Sequence, residues 1–222
     1  MNQSIKMERS KSRENLLLIG IGAVCLAVSA ISPFDWLTWW LEVFPILIAF
    51  GVLWATARRF PLTPFLYRLI LVHALILMLG AHYSYARVPL GFWMQDLLDL
   101  SRNHYDRLGH FAQGFFPALV VREVLLRRTS LRRGAWLFFL VLSVCLAISA
   151  FYEFIEWWAA LLAGDGATEF LGTQGDVWDT QWDMFLALVG SIVAQLTLSR
   201  LHDRALAKLD KNHFVRNETD NA

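Results

Sequence analysis

Cysteine is scarce: the chain holds two, Cys25 and Cys145. Both fall inside apolar runs, where a thiol behaves as a small hydrophobe, so no disulfide framework is expected. The sequence also lacks a Walker loop, a nucleophile elbow and a zinc-binding Cys pair, which sets aside the soluble chemistries built on those motifs. No internal repeat or low-complexity tract is present. Neither sign of charge prevails, with 20 Lys and Arg against 19 Asp and Glu. Net charge therefore names no partner, and nothing points to nucleic acid.

What is abundant is apolar surface. Of the 222 residues 56% are hydrophobic, ten are Trp, and the mean hydropathy is +0.43, far beyond an ordinary soluble domain. Crossing the hydrocarbon takes about 20 mostly apolar residues in a helix, because lipid cannot satisfy open backbone groups. Six stretches qualify or nearly do: Leu16 to Phe34, Trp36 to Ala57, Pro64 to Tyr83, Leu108 to Leu126, Ala135 to Ala163 and Trp182 to Leu198.

Charge alternates between the connecting segments. Lys6, Arg9, Lys11 and Arg13 precede the first stretch, Arg58 and Arg59 follow the second, Arg127, Arg128, Arg132 and Arg133 the fourth, and Arg200, Arg204 and Lys208 the sixth. The other segments are acidic, with Asp35, then Asp96, Asp99 and Asp106, then Asp165, Glu169, Asp176 and Asp179. The positive-inside rule then predicts an all-α, polytopic membrane helix bundle of about six spans with both termini cytoplasmic. The expected division is a basic N-terminus over 1–15, a membrane domain over 16–202 and a polar tail over 203–222, disordered after Asp210. The first apolar run is too long for a cleavable signal peptide and is read as retained, despite Ala27-Val28-Ser29-Ala30. Val24 before Cys25 departs from the small residue of a lipoprotein site.

Between the third and fourth stretches, Trp93, Leu97 and Leu100 share one helical face and Gln95, Asp96 and Asp99 another, which predicts a short helix on the outer surface. Between the fifth and sixth, Gly164, Gly166, Gly172 and Gly175 predict an irregular loop.

Chemistry-bearing groups gather at one depth. His110 lies ~6 Å along the helix from Asp106, on the same face. Glu153 and Glu156, at i and i+3, lie ~26 to 30 Å beyond the inner end of their span, near the outer boundary. Asp176, Asp179 and Asp183 lead into the last span at a similar level. A carboxylate in a membrane must be paired, protonated or metal-bound, and two acids at i and i+3 also repel. Carboxylates and imidazole from several bundle helices are a way to build metal sites, oxygen-rich sets favouring Mg, Mn or Ca and imidazole favouring Zn or Fe.

A structural reading stands beside this one. Asp106 with Arg107, and His110 with Glu153 or Glu156, can be pairs that lock helices together. Asp176 and Asp179 suit turn and N-cap positions, Asp183 a first-turn acid, and His104 an ordinary loop residue. His82 reads as an interfacial polar cap, His73 as a neutral interhelical hydrogen-bonder, and Glu42 as a partner for an arginine. Trp36, Trp39, Trp40, Trp157, Trp158, Trp178 and Trp182 read as an outer aromatic belt, or alternatively as the lining of a lipid-facing entrance.

Three motifs carry a family likeness: His104-Tyr105-Asp106-Arg107-x-x-His110-Phe111-x-x-Gly114-Phe115; Tyr152-Glu153-x-x-Glu156-Trp157-Trp158; and Gly172-Thr173-Gln174-Gly175-Asp176-x-Trp178-Asp179-Thr180-Gln181-x-Asp183-Met184. With them the chain resembles the YjdF-like inner-membrane family, a bacterial domain of unknown function, over nearly its whole length. More distantly the layout is similar to VanZ-like membrane proteins, with Arg107 where those have Lys, Glu156 for Gln, Asp183 for Asn, and the glycine displaced to Gly190. Neither resemblance implies a reaction.

Three functions remain open. The first is an outer-face inner-membrane enzyme acting on a lipid-linked or envelope substrate, with a divalent Mg, Mn or Zn held among His110, Glu153, Glu156, Asp176, Asp179 and Asp183. His110, Glu153, Glu156 and Asp106 would be its catalytic groups, and Arg107 and His104 its headgroup contacts. An anionic headgroup would be repelled by so acidic a pocket unless a cation screened it. The second is a transporter or binding protein for a cation or amphiphile, for which the midplane offers only His73, Pro117, Ser149, Ser191 and Gln195. The third is a structural or envelope-shielding protein without turnover.

Overall fold

The computed structural model describes residues 3–163 and 173–220, with side chains described for 12–162 and 173–209. Gly164, Asp165, Gly166, Glu169 and Gly172 of the expected loop lie outside the described residues. The described chain is helical, without strands: α1 (Gln3–Ser29), α2 (Trp36–Thr56), α3 (Pro64–Tyr83), a 3-10 turn (Tyr85–Arg87), α4 (Pro89–Leu98), α5 (Tyr105–Arg128), α6 (Ala135–Ala163) and α7 (Asp179–Asp220).

Local chemistry sets the helix ends. Asp35 accepts from the Thr38 N–H at 2.7 Å and caps α2, while Pro64 and Pro89 open α3 and α4, where the missing N–H costs nothing. α1 stops at Ser29, short of the expected Phe34, because Ser32 turns at φ +51 and Pro33 cannot continue the helix. The expected short helix forms as α4, with Trp93 and Leu97 exposed; Asp99 is its left-handed cap and Leu100 lies beyond it. The largest departure is α7. It runs 42 residues to Asp220, through the segment expected to be a disordered tail, because no Gly or Pro interrupts residues 191–220. At ~63 Å it is about twice as long as the hydrocarbon is thick.

Among the described residues, five helices, α1, α2, α3, α6 and α7, are long and apolar enough to cross a membrane. Their outward faces carry exposed Leu16, Phe44, Trp54, Phe139 and Phe151, as lipid contact allows. α5 falls short of that standard because it carries Asp106, Arg107, Arg122, Glu123, Arg127 and Arg128. Its charges are tolerable because it lies inside the bundle, with α3, α6 and α7 packed against it, α1 and α2 joining through α3. α5 and α7 approach closely. A Cβ at Gly114 would overlap the Ala187 carbonyl, and one at Gly190 would overlap the Phe111 carbonyl, so small residues bring the two backbones together. This contact sets Asp183 opposite His110.

Several expectations change with packing. Trp39 is not part of an exposed belt: it is buried and donates from its indole Nε1 to Ser29 Oγ at 3.2 Å. The other tryptophans named above are exposed. His73 Nε2 finds no hydrogen-bond partner, and its ring stacks on Phe116 at 5.4 Å instead. His82 Nδ1 lies 3.1 Å from the Ser29 carbonyl oxygen, a tie between α3 and the end of α1.

Candidate functional site

α5 presents Asp106 and His110 one turn apart, α6 presents Glu153 and Glu156, and α7 presents Asp183. The three helices meet around the imidazole. His110 Nε2 lies 3.6 Å from Asp106 Oδ1 and 3.8 Å from Asp183 Oδ2, while Nδ1 lies 3.9 Å from Glu153 Oε1 and 3.2 Å from Gln113 Oε1. Carboxylates thus face both ring nitrogens. One group is Asp106, His110 and Asp183; the other is His110, Glu153 and Glu156. In each, one ligand atom per residue lies within 4.8 Å of the others.

Burial makes this arrangement expensive. His110 is 6% exposed, Asp183 1% and Glu153 6%. Asp106 Oδ2, Glu153 Oε1 and Asp183 Oδ1 are buried without a hydrogen-bond partner. Thr180 gives Glu153 one hydrogen bond. A native structure rarely leaves three buried acidic oxygens unpaired, and a carboxylate there demands a counter-charge.

α2 contributes a fourth wall that sequence reasoning undervalued. Glu42 is buried and accepts from Tyr152 Oη at 3.2 Å, and Tyr85 also hydrogen-bonds to it. It pairs with tyrosines, not with an arginine, and its charge is felt at Asp106, His110 and Glu156. The available signal was a lone acid in an otherwise uncharged span.

The two arginines nearest the site serve the rim. Arg107 does not pair with Asp106; its Nη2 reaches Asp176 Oδ2 at 2.8 Å, and its guanidinium lies 5.0 Å from the Trp182 ring. Arg102 Nη2 lies 2.9 Å from Asp179 Oδ1 and 3.4 Å from Asp176 Oδ2, and Nη1 donates to the Thr173 carbonyl. Gln174 Nε2 donates to the Asn103 carbonyl at 2.7 Å. Asp176 and Asp179, expected among the metal ligands, are therefore drawn to arginine and tie the start of α7 to the start of α5. Asp176 also accepts from the Trp178 N–H, which with Arg102 and Arg107 holds its carboxyl below the usual range. His104 sits at the N-cap position of α5 without a capping bond, its Nδ1 unpartnered. Partial burial, then Arg107 and Arg102, hold its imidazole below the ordinary value.

A second polar cluster lies near the other end of α5, and sequence reasoning passed over it. Glu123 is fully buried and accepts from the Thr63 N–H and Oγ1, both at 3.0 Å, from His202 Nε2 at 2.9 Å and from Arg127 Nη1 at 2.7 Å. Arg122 donates to His202 Nδ1 at 3.0 Å and to Asp203 Oδ1 at 2.8 Å. Because Nδ1 accepts from a guanidinium, Nε2 carries the proton that Glu123 receives. The overlooked signal was Arg122-Glu123 inside an apolar run, since ionisable groups there demand partners.

Comparison with known proteins finds relatives among membrane proteins. Residues 14–204 match the family described as predicted membrane protein (DUF2238). The chain is also similar to inner membrane protein YjdF of Escherichia coli (strain K12), 57% identical over 183 residues, which cover 82% of this chain and 88% of that protein. No solved structure matches. Neither match supports the VanZ-like likeness. The chain therefore belongs to the DUF2238 family of predicted membrane proteins, with YjdF a relative in it, and is an integral protein of the inner membrane.

Proposed function

We propose that the protein is a divalent-cation-dependent enzyme acting at the outer face of the membrane on a lipid-linked or envelope substrate with an anionic headgroup. The observation that carries this reading is the set of buried, unpartnered oxygens on Asp106, Glu153 and Asp183 around His110. On this reading α5 is a sixth span shielded from lipid by its neighbours, and the positive-inside rule applied to the basic segments favours cytoplasmic termini, with the His110 cluster near the outer surface.

His110 Nε2, Asp106 and Asp183 form the better ligand set. Gln113 lies beside Nδ1, so a proton held there leaves Nε2 with its lone pair facing the two aspartates. One ligand atom from each of these three residues lies within 4.8 Å of the others, so together they would hold a small divalent ion after a modest inward movement. A bound divalent cation supplies Lewis-acid polarisation of a phosphoryl or carbonyl oxygen. Glu153 and Glu156, repelling each other at i and i+3, are suited to hold one proton between them and hand it on. Arg102 and Arg107 bring positive charge to the rim, where an anionic headgroup competes with Asp176 and Asp179.

The test is metal analysis of the purified full chain with Asp183→Ala and Glu156→Ala. The reading expects stoichiometric metal in the native protein and its loss in Asp183→Ala. Native protein without metal, with variants that change only thermal stability, would replace the enzyme by a structural lock.

A further inference from the structure

At the end of α5 away from His110, ~24 Å along the helix, a cleft of about 460 Å³ opens between α5, the turn into α6 and α7. Its lining is half basic and half aliphatic: Arg127, Arg132 and Arg133 with Leu126, Leu131 and Leu206. Two of the arginines are already fixed. Arg127 Nη1 is held by Glu123 and by the Pro61 carbonyl, each at 2.7 Å, and Arg133 Nε by Asp203 at 2.9 Å. Arg132 is exposed, and among the described residues it has neither a hydrogen bond nor an ion pair.

Charge is left over. Around the cleft stand four guanidinium groups and two carboxylates: Arg122, Arg127 and Arg133 pair with Glu123 or Asp203 and Arg132 with neither, so two positive charges are unmatched. The leucines beside them would be poorly served by water but well served by the upper part of an acyl chain. Cationic donors against an aliphatic wall, at the end of a membrane bundle, match a ligand with a phosphate and a lipid tail on the same molecule.

We infer that this cleft is a binding site for one anionic phospholipid, its phosphodiester held by Arg132 and Arg133 and its acyl chains lying against Leu126, Leu131 and Leu206. The site is separate from the His110 cluster and does not depend on the enzymatic reading. Arg127 and Arg133 are pre-ordered by their protein partners, so the lipid has little side-chain freedom to remove there, and Arg132 supplies the unpaired charge.

The experiment is native mass spectrometry of the full-length protein, delipidated and titrated with phosphatidylglycerol or phosphatidylcholine, with glycerol 3-phosphate as a soluble arm. One phosphatidylglycerol should be retained per chain in preference to phosphatidylcholine, with no retention of glycerol 3-phosphate. Arg132→Gln should weaken that binding about fivefold, the effect of one basic group at an anionic lipid surface, without altering folding. Arg59→Gln, which removes a charge from the end of α2 outside the cleft, should leave it unchanged. Equal retention of phosphatidylcholine, an unaltered Arg132→Gln, or an equal loss in Arg59→Gln would overturn the site; the last result would assign the attraction to diffuse surface charge. Retention of glycerol 3-phosphate would also overturn it, by showing a soluble phosphate site.

Discussion

The two ends of α5 carry polar clusters of similar composition and opposite condition. Around Glu123 the sums close: each carboxylate oxygen has donors, the histidine uses both ring nitrogens, and two arginines complete the set. Around His110 they do not. Asp106, Glu153, Glu156 and Asp183, with Glu42 behind them, share one imidazole, and three buried oxygens have no donor. The nearest arginines are committed to Asp176 and Asp179. A cluster with every partner in place stabilises a helix contact and has nothing left to offer a ligand. One with unpaired buried acids is unstable alone and becomes favourable when a cation enters. The same chain thus shows a polar cluster in which every partner is met, and beside it the His110 cluster, in which three buried acidic oxygens are not.

The comparison breaks most visibly at Glu123. Glu123→Ala leaves His202, Arg127 and Thr63 with buried donors unmet, and should cost about 3–5 kcal/mol, read as a lowered unfolding temperature of the full chain in detergent. Gly114→Ala should come next, at about 1–3 kcal/mol, because the new methyl meets the Ala187 carbonyl. By moving α7 away from α5 it should also weaken metal binding, measured by metal content, without altering any ligand. Asp183→Asn has the opposite sign. In metal-free protein it removes one of several repelling charges and should raise the unfolding temperature by about 2–4 °C, the response to ~1 kcal/mol in a chain of this size, while abolishing metal retention. A loss of stability comparable to that of Glu123→Ala would make the two clusters alike and end the distinction.

The smallest effect is at the rim. The Asp176 carboxyl is held below its ordinary 3.8 by the Trp178 N–H and by Arg102 and Arg107. Its contribution is therefore present above that value and fades as pH falls through the lower folded one. His104 is held below its ordinary 6.5, so the unfolded chain takes up its proton first on acidification, and stability declines from pH 6.5 downward. Hydrogen exchange at residues 173–178 should accelerate as pH-corrected rates are followed from neutral to acid, and Asp176→Asn should remove the most acidic part of that change.

Much of the site was legible because helix periodicity is arithmetic. Asp106 with His110 and Glu153 with Glu156 share faces by spacing alone, and counting residues from the basic ends put α5, α6 and α7 at one level. Periodicity does not say which neighbour a long side chain chooses. Arg107 is adjacent in sequence to Asp106 yet bonds to Asp176, and Asp179 goes to Arg102, because the segment before α7 folds over the start of α5. Glu42 was read as a partner for an arginine; only packing brings Tyr85 and Tyr152 to it. Arg122, Glu123 and His202 went unread although each stands within or beside an apolar run, where an ionisable group always needs a reason.

The sequence by itself determined that the chain is helical and embedded in lipid, because apolar runs of this length have no other way to satisfy their backbone. It also determined which helix faces carry acid and imidazole, since that follows from rise and turn. Only the tertiary structure decided which charges are satisfied and which are not. Pairing depends on which helices approach closely, and that rests on contacts such as Gly114 against Ala187 and Gly190 against Phe111, between residues 73 to 79 positions apart in the chain.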